Sequence, residues 1–111
     1  MEFYGYHGVF PEENKLGQRF IVDLTVELDL RTSGEKDELE SSINYANLYQ
    51  ICKDIVEGPS YKLIEAIAEK IADSCLQQYS RANSITVKVI KPDPPIRGHY
   101  ESVAVEIKRS R

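Results

Sequence analysis

Residues 20–30, FIVDLTVELDL, alternate regularly between apolar and polar side chains. Every even-numbered residue in this stretch is apolar, and the odd-numbered positions after Ile21 carry Asp, Thr, Glu and Asp. Successive side chains of a strand point to opposite faces of the sheet. The period of two therefore predicts a half-buried strand of antiparallel character.

Two helical patterns and two further strand patterns follow along the chain. Asn44 is a good N-cap, apolar residues then repeat at helical spacing, and Gly58-Pro59 ends this first helix. A second helix is predicted over Lys62–Tyr79, and strands are predicted over Ser84–Lys91 and residues 99–109. The layout indicates an α+β domain with two helices on one face of an antiparallel sheet.

Three segments lack either period and are predicted to form loops. Residues 31–42 are polar and contain glycine, although Asp37–Glu40 could make a short helical turn. Pro11–Lys15 precedes the long strand, and Pro92–Pro95 cannot lie in a central strand because proline has no N–H to donate.

The length and charge of the chain exclude several classes of protein. Its 111 residues, 41% hydrophobic and 29% charged, fit one globular domain over residues 1–111. The net charge of −4 argues against nucleic-acid binding, which needs a basic surface. No apolar run approaches the roughly 20 residues that span a bilayer, and the first residues do not resemble a signal peptide. We therefore expect a cytoplasmic protein with neither a membrane nor a nucleic-acid partner.

Cysteine and histidine are too sparse to indicate a metal centre. Cys52 and Cys75, the two thiols, lie on the apolar stripes of the predicted helices, so we expect them to be buried and reduced. His7 and His99 are isolated, without a spacing that places two metal ligands on one element. We expect no metal and no other cofactor.

The sheet face that points away from the helices is predicted to be polar. One interpretation is a solvated face; the other is the inner wall of a water-filled barrel built by several subunits. The residues concerned are Asp23, Thr25, Glu27, Asp29, Thr86, Lys88 and Glu106.

Four polar residues stand at junctions between predicted elements and are candidates for chemistry. Glu13 lies before the long strand, Tyr45 and Glu65 lie near helix starts, and Lys91 ends a strand. Each also has a plain structural interpretation. Glu13 and Lys91 could be solvated, Tyr45 could belong to the core face of its helix, and Glu65 could simply favour a helix start.

Five short segments occur together in one order: FYGYHG (3–8), ENKLGQ (13–18), Asn44-Tyr45, Leu63–Glu65 and KPDPPI (91–96). Over residues 2–109 this ordered set resembles the dihydroneopterin aldolase family of folate biosynthesis. The resemblance implies the tunnelling fold, with an antiparallel four-stranded sheet and two helices on one face. It also implies a homo-oligomer, in which four subunits close a ring barrel and two rings stack as an octamer.

The resemblance implies retro-aldol cleavage of a pterin, 7,8-dihydroneopterin, to 6-hydroxymethyl-7,8-dihydropterin and glycolaldehyde. Epimerisation at C2′ to dihydromonapterin would be a side reaction of the same step. Aldolases usually supply an electron sink as a lysine Schiff base or a zinc ion. A dihydropterin already contains a C6=N5 imine conjugated to the breaking bond, so neither is required.

Matching positions imply a role for each candidate in binding. Glu65 would hold the amino-pyrimidinone edge through paired charge-assisted hydrogen bonds, and the backbone of Leu63 and Ile64 would add contacts to that edge. Glu13 would bind the trihydroxypropyl tail.

The catalytic roles implied are proton transfers. Lys91 would act as general acid/base near N5, with Glu13 beside the tail, and Tyr45 would flank the ring. Either Tyr45 or Lys91 would take the hydroxyl proton. The pocket is expected between subunits, with Glu13 and Tyr45 from one chain and Glu65 and Lys91 from another.

The chain departs from the family pattern in two places. The short N-terminal lead that members carry before the segment equivalent to Met1 is absent, so a shortened first strand is expected. Arg97 stands where proline is common, which is expected to loosen the loop after Lys91.

Three rival interpretations remain from the sequence. An enzyme like pyruvoyl-tetrahydropterin synthase would need clustered histidines for zinc, and the two histidines are isolated. A ring-forming protein could keep the pterin pocket without catalysis. Nucleic-acid binding is the weakest alternative because the chain is acidic.

Overall fold

The computed structural model describes residues 1–111 and contains a single four-stranded sheet. The strands are β1 (Glu2–Gly5), β2 (Gln18–Glu27), β3 (Ser84–Lys91) and β4 (Val103–Ser110). The helices are α1 (Pro11–Leu16), α2 (Arg31–Lys36), α3 (Tyr45–Val56) and α4 (Ile64–Gln78), and a 3₁₀ turn covers Leu39–Ser41. The strands are ordered β1-β2-β3-β4 and every neighbouring pair is antiparallel, which confirms the predicted α+β class.

The core lies between one face of the sheet and the two long helices, α3 and α4. Ile85, Val87 and Val89 alternate along β3 and are fully buried, together with Ile67 and Ile71 of α4. Fully burying one such aliphatic side chain stabilises the fold by about 1.5–3 kcal/mol relative to leaving it exposed. The central strand β3 and helix α4 therefore contribute much of the stability of the scaffold.

Both cysteines belong to this core. Cys52 of α3 and Cys75 of α4 are free thiols with no exposed surface. Burial raises the pKa of Cys52 to about 12 and that of Cys75 to about 11. Because the thiolate is the nucleophile, these thiols are suited to packing and not to covalent catalysis. The expectation of buried, reduced cysteines is confirmed.

The opposite face of the sheet is polar, as predicted. The strand register places Lys88 of β3 between Asp23 of β2 and Glu106 of β4. Lys108 also reaches Glu27, with 2.9 Å between the ammonium nitrogen and a carboxylate oxygen. Opposite charges on neighbouring strands stabilise a sheet by roughly 0.2–1 kcal/mol per pair. The charges on this face are therefore arranged in attractive pairs.

The helix caps and the third strand follow the predictions closely. The Asn44 side chain accepts a hydrogen bond from the Ala46 N–H at 2.9 Å, which confirms it as the N-cap of α3. Helix α3 ends at Val56, ahead of Gly58-Pro59. Strand β3 has the predicted bounds, and α4 begins two residues later than predicted.

The region after β2 was predicted wrongly. The strand runs over Gln18–Glu27 and not 20–30, and residues 31–36 form α2 instead of a loop. The 3₁₀ turn over Leu39–Ser41 overlaps the short helical turn that was allowed for over Asp37–Glu40. The carboxylate of Asp29 accepts the Arg31 N–H at 2.9 Å, which turns the chain into α2. Leu30 is consequently exposed, although the alternation assigned it to the core face.

Two other boundaries also differ from prediction. Residues 11–15 form helix α1, because Pro11 at the first helical position and two acidic residues in the first turn are helix-start signals. Strand β4 begins at Val103 and not at residue 99. The Tyr100 hydroxyl donates to the Pro94 carbonyl at 3.0 Å, which keeps residues 99–102 in the preceding loop.

The two edge strands differ in length. Strand β1 has four residues and pairs only with Gln18–Ile21, whereas β4 has eight residues. Each of these strands has one side without a partner strand in the chain. None of the helices combines the length and apolar character needed to cross a membrane.

Candidate active site

A cavity of about 390 Å³ opens between the β1–α1 loop, the start of α4 and the loop after β3. Its volume is within the range of about 300–1,000 Å³ that is typical of small-molecule sites. Five of the six residues singled out in the sequence line it: Glu13, Leu63, Ile64, Glu65 and Lys91. The rest of the wall is largely apolar and consists of Val9, Phe10, Lys62, Pro94, Pro95, Ile96, Val103 and Val105.

An ion pair between Lys91 and Glu13 forms the most enclosed part of this cavity. The ammonium nitrogen lies 2.7 Å from a carboxylate oxygen, and the side chains are 14% and 7% exposed. Burial alone raises the pKa of Glu13. Hydrogen bonds from Lys91, Gln18 and the Phe10 N–H, with the charge of Lys91, outweigh burial and hold that pKa below its ordinary value. Glu13 is therefore a carboxylate at neutral pH.

The strand period explains how Lys91 reaches Glu13. Lys91 continues the row of odd-numbered residues of β3 that face the helices, so its side chain leaves the sheet on the core side. Glu13 turns inward from α1 against Gly8, whose φ is 149°. A Cβ at Gly8 would lie 2.4 Å from the Glu13 carboxyl carbon, so glycine is required there.

Gln18 is a site residue that the sequence reasoning did not single out. Its amide donates to the same Glu13 oxygen as Lys91, at 2.9 Å, and its own carbonyl oxygen is buried without a partner. The signal was present, because Gln18 continues the even-numbered row that contains Phe20 and Val22. A polar side chain on the core face of a strand usually has a specific partner.

Glu65 presents a carboxylate that is not engaged within the chain. It lies in the first turn of α4, is exposed, and makes no hydrogen bond or ion pair in the structure. The first N–H groups of a helix lack intrahelical acceptors, and that end of the helix carries a partial positive charge. Leu63 at the N-cap and Ile64 complete this corner of the cavity. This corner can therefore offer the Glu65 carboxylate as an acceptor, and the first N–H groups of α4 as donors, to the edge of a planar heterocycle.

Tyr45 is not brought to this cavity. It is 84% exposed at the start of α3 and lines a separate apolar depression of about 290 Å³ with Met1, Leu24, Leu48 and Tyr49. The alternative that Tyr45 packs in the core is therefore wrong.

The predicted division of site residues between chains is wrong for Glu13. The ion pair joins Glu13 of α1 and Lys91 of β3 within the same chain. Glu65 lines the same cavity as both of them. Only Tyr45 stands apart.

The loop after Lys91 is held in two places. The Arg19 guanidinium donates to Asp93 at 2.8 Å, and Tyr100 binds backbone carbonyls within the loop. Arg97 is exposed in this loop. No cluster of three or more histidine, cysteine or acidic side chains is placed to hold a metal ion.

Comparisons with known proteins agree with this fold. The family model for FolB, dihydroneopterin aldolase, matches residues 1–108. The dihydroneopterin aldolase of Bacillus subtilis is 65% identical over 111 residues, which is 100% of this chain and 92% of that protein. The dihydroneopterin aldolase of Staphylococcus epidermidis is 46% identical over 109 residues, 98% of this chain and 90% of that protein.

A solved structure gives the same result. The crystal structure of Escherichia coli dihydroneopterin aldolase in complex with neopterin superposes with a TM-score of 0.89 at 25% identity, covering 98% of this chain and 92% of that one. The two folds therefore match over nearly the whole length of both chains. The chain belongs to the dihydroneopterin aldolase family, the aldolases of folate biosynthesis.

Proposed function

We propose that the protein cleaves 7,8-dihydroneopterin in the cavity that holds Glu13, Glu65 and Lys91. The observation that carries this assignment is the presence, in one cavity, of a free carboxylate and a largely buried lysine–carboxylate pair. The E. coli relative was crystallised in complex with neopterin, which supports a pterin ligand for this cavity.

Glu65 anchors the pterin. The amino-pyrimidinone edge carries adjacent N–H donors, and the Glu65 carboxylate has both oxygens free to accept from them. The first-turn N–H groups beside Leu63 and Ile64 can donate to the ring carbonyl next to those donors. Hydrogen bonds to a charged acceptor are about twice as strong as neutral ones, so this edge sets both affinity and orientation.

The substrate supplies its own electron acceptor. When the C2′ hydroxyl loses its proton, the C1′–C2′ bond breaks and C2′ becomes the aldehyde carbon of glycolaldehyde. The bonding pair moves to C1′ and through C6 to N5, which takes up a proton to give an enamine. Protonation of C1′ and loss of the N5 proton then give 6-hydroxymethyl-7,8-dihydropterin. This sequence needs proton transfer and positioning, without a Schiff base.

Lys91 and Glu13 serve the proton transfers. An ammonium group has three donors, and Glu13 engages one of them, which leaves two for the substrate or for water. Lys91 protonates N5, and Glu13 accepts hydrogen bonds from the trihydroxypropyl tail while it holds Lys91 in place. Re-addition of C1′ to the opposite face of the aldehyde carbon would give the C2′ epimer, dihydromonapterin.

Incubation of the purified protein with 7,8-dihydroneopterin and EDTA tests the chemistry. We expect glycolaldehyde and 6-hydroxymethyl-7,8-dihydropterin in equal amounts, measured by chromatography, with dihydromonapterin as the side product. Borohydride added during turnover should leave the mass of the protein unchanged. No turnover would contradict the proposed function, whereas inhibition by EDTA or a trapped protein adduct would contradict only the mechanism.

We further propose that chains assemble into a ring, with two rings forming an octamer. The free edges of β1 and β4 support this assembly, because an unpaired strand edge is a template for pairing with another chain. Pairing β1 of one chain with β4 of the next is a head-to-tail contact, which closes when the rotation permits. The charged sheet face would then line the central opening.

We infer that Tyr45 completes the cavity of a neighbouring chain. It is exposed beside an apolar depression, while the cavity that holds Lys91 has no aromatic side chain for the pterin face apart from Phe10. A tyrosine brought in by the ring contact would stack on the pterin and assist transfer of the hydroxyl proton.

Two inactive variants, combined in one assembly, test this sharing. We expect Tyr45→Ala and Lys91→Met to be nearly inactive as separate homo-oligomers. Co-expressed with different tags and purified as the mixed assembly, they should regain about a quarter of the wild-type turnover, since random mixing forms that share of intact sites. Mixtures as inactive as the parent variants would show that each chain builds its own site.

We also propose that the protein works in the cytoplasm. Free cysteines persist where thiols are kept reduced, and Cys52 and Cys75 are both free. A fluorescent fusion seen outside the cytoplasm would contradict this location.

A further inference from the structure

His7 is buried between the end of α3, strand β2 and the loop that contains Tyr61, with 1% of its surface exposed. Its Nε2 lies 2.6 Å from the carbonyl oxygen of Val56, the last residue of α3, and its Nδ1 accepts the Tyr61 N–H at 2.9 Å. The ring stacks on Tyr61 at a centroid distance of 5.7 Å and meets the edge of Phe20 at 5.2 Å. Both ring nitrogens are therefore used.

These partners assign the neutral form of the ring. Because Nδ1 accepts a hydrogen bond, it carries no proton, and Nε2–H donates to the helix carbonyl. Burial is the main cause that lowers the pKa of His7. The Val56 hydrogen bond opposes that effect, and the charge of Lys91 adds to it.

The hydrogen bond to Tyr61 holds the segment that carries the pterin anchor. The Tyr61 carbonyl also accepts the Gly8 N–H at 2.9 Å, so both backbone groups of Tyr61 are hydrogen-bonded to the β1–α1 loop. Residues 57–63 contain neither helix nor strand, and Glu65 follows Tyr61 by four positions. Gly5 leaves space for the contact between His7 and Val56, since a Cβ at Gly5 would lie 2.6 Å from the Val56 oxygen.

The backbone on either side of His7 is also tied to the helix that carries Glu13. The Asn14 amide donates to the carbonyls of Tyr6 at 3.0 Å and Gly8 at 3.1 Å. Gly8 lies directly against the Glu13 carboxyl group. His7 thus lies between the segment that positions Glu65 and the helix that positions Glu13.

We propose that His7 is a positioning residue that sets the separation between the Glu65 anchor and the Glu13–Lys91 pair. This role rests on the proposed function, because it concerns how a bound pterin is held relative to the proton-transfer groups. Reacting groups need placement within a fraction of an ångström, and a misplacement of about 1 Å can cost a hundredfold in rate.

Two substitutions separate the Tyr61 contact from the Val56 contact. In His7→Asn the side-chain oxygen takes the place of Nδ1 and can still accept the Tyr61 N–H. In His7→Gln the terminal amide takes the place of Nε2–H and can still donate to Val56. Both remove the ring, and with it the contacts of the ring with Tyr61 and Phe20.

Steady-state kinetics, normalised to neopterin-binding sites, give the deciding comparison. In His7→Gln we expect kcat to fall by about tenfold to hundredfold, and in His7→Asn to stay within about threefold of wild type. The Kd for neopterin should change less than kcat in both variants, because Glu65 is intact. Equal kcat values in the two variants would overturn the role for His7. A wild-type protein that does not turn over would contradict the proposed function instead.

A measurement on the wild-type protein keeps the test independent of variant folding and of turnover. Nitrogen NMR should show His7 with an unprotonated Nδ1. Saturation with neopterin should shift that resonance and slow exchange of the Tyr61 amide. A Tyr61 amide and a His7 ring that do not respond to neopterin would overturn the proposal.

Discussion

The Lys91→Met protein is expected to bind neopterin almost normally while its kcat for dihydroneopterin cleavage falls by about two to four orders of magnitude. Methionine keeps the unbranched length of the side chain but cannot donate a proton to N5. The binding edge at Glu65 is untouched by the change, so the loss should appear in kcat and not in Kd. Stopped-flow turnover and neopterin titration measure the two quantities separately.

The same substitution also removes the cation from Glu13, whose side chain is only 7% exposed. Leaving a buried charged group without its partner costs roughly 1–3 kcal/mol or more, so the free energy of unfolding should fall. The double variant Glu13→Gln/Lys91→Met removes both charges and should recover most of that stability without recovering activity. Wild-type kcat in the single variant, or activity regained in the double variant, would contradict proton transfer by Lys91.

The Glu65→Gln protein is expected to lose affinity for neopterin by about tenfold to hundredfold, the range for losing hydrogen bonds to a charged group. An amide offers one acceptor where the pterin edge presents two donors, and its NH₂ group meets another donor. Because Glu65 is exposed and unpaired within the chain, stability should change by no more than about 0.5 kcal/mol. Fluorescence titration gives Kd, and thermal unfolding gives the stability.

Glu57→Gln is the matched control for this second experiment. Glu57 is also exposed, follows α3 directly, lies outside the cavity and carries the same charge. Its replacement changes the net charge by the same amount, so a general electrostatic effect would weaken binding in both variants. Unchanged affinity in Glu65→Gln would remove the anchor assigned to Glu65.

The sequence predicted those elements whose signals are local. The alternation in β2 and β3 and the N-cap at Asn44 report side-chain direction and backbone hydrogen bonding within a few residues. Boundaries were missed where a side chain changed the backbone path, as Asp29 does before α2 and Tyr100 does before β4. Polar side chains can hydrogen-bond to nearby backbone groups and so end a strand or a helix where the apolar pattern would continue it. The spacing of apolar residues does not reveal such bonds.

The sequence by itself also named most residues of the candidate site, though not Gln18, through the ordered segments that resemble the dihydroneopterin aldolases. Only the tertiary structure decided which of them meet. Glu13 and Lys91 are 78 residues apart, His7 and Tyr61 are 54 apart, and both pairs are in hydrogen-bond contact, whereas Tyr45 stands alone on the surface. The periodicity of a strand or helix fixes the direction in which each of its side chains points. Contacts between residues far apart in the sequence depend instead on how separate elements pack around a shared core.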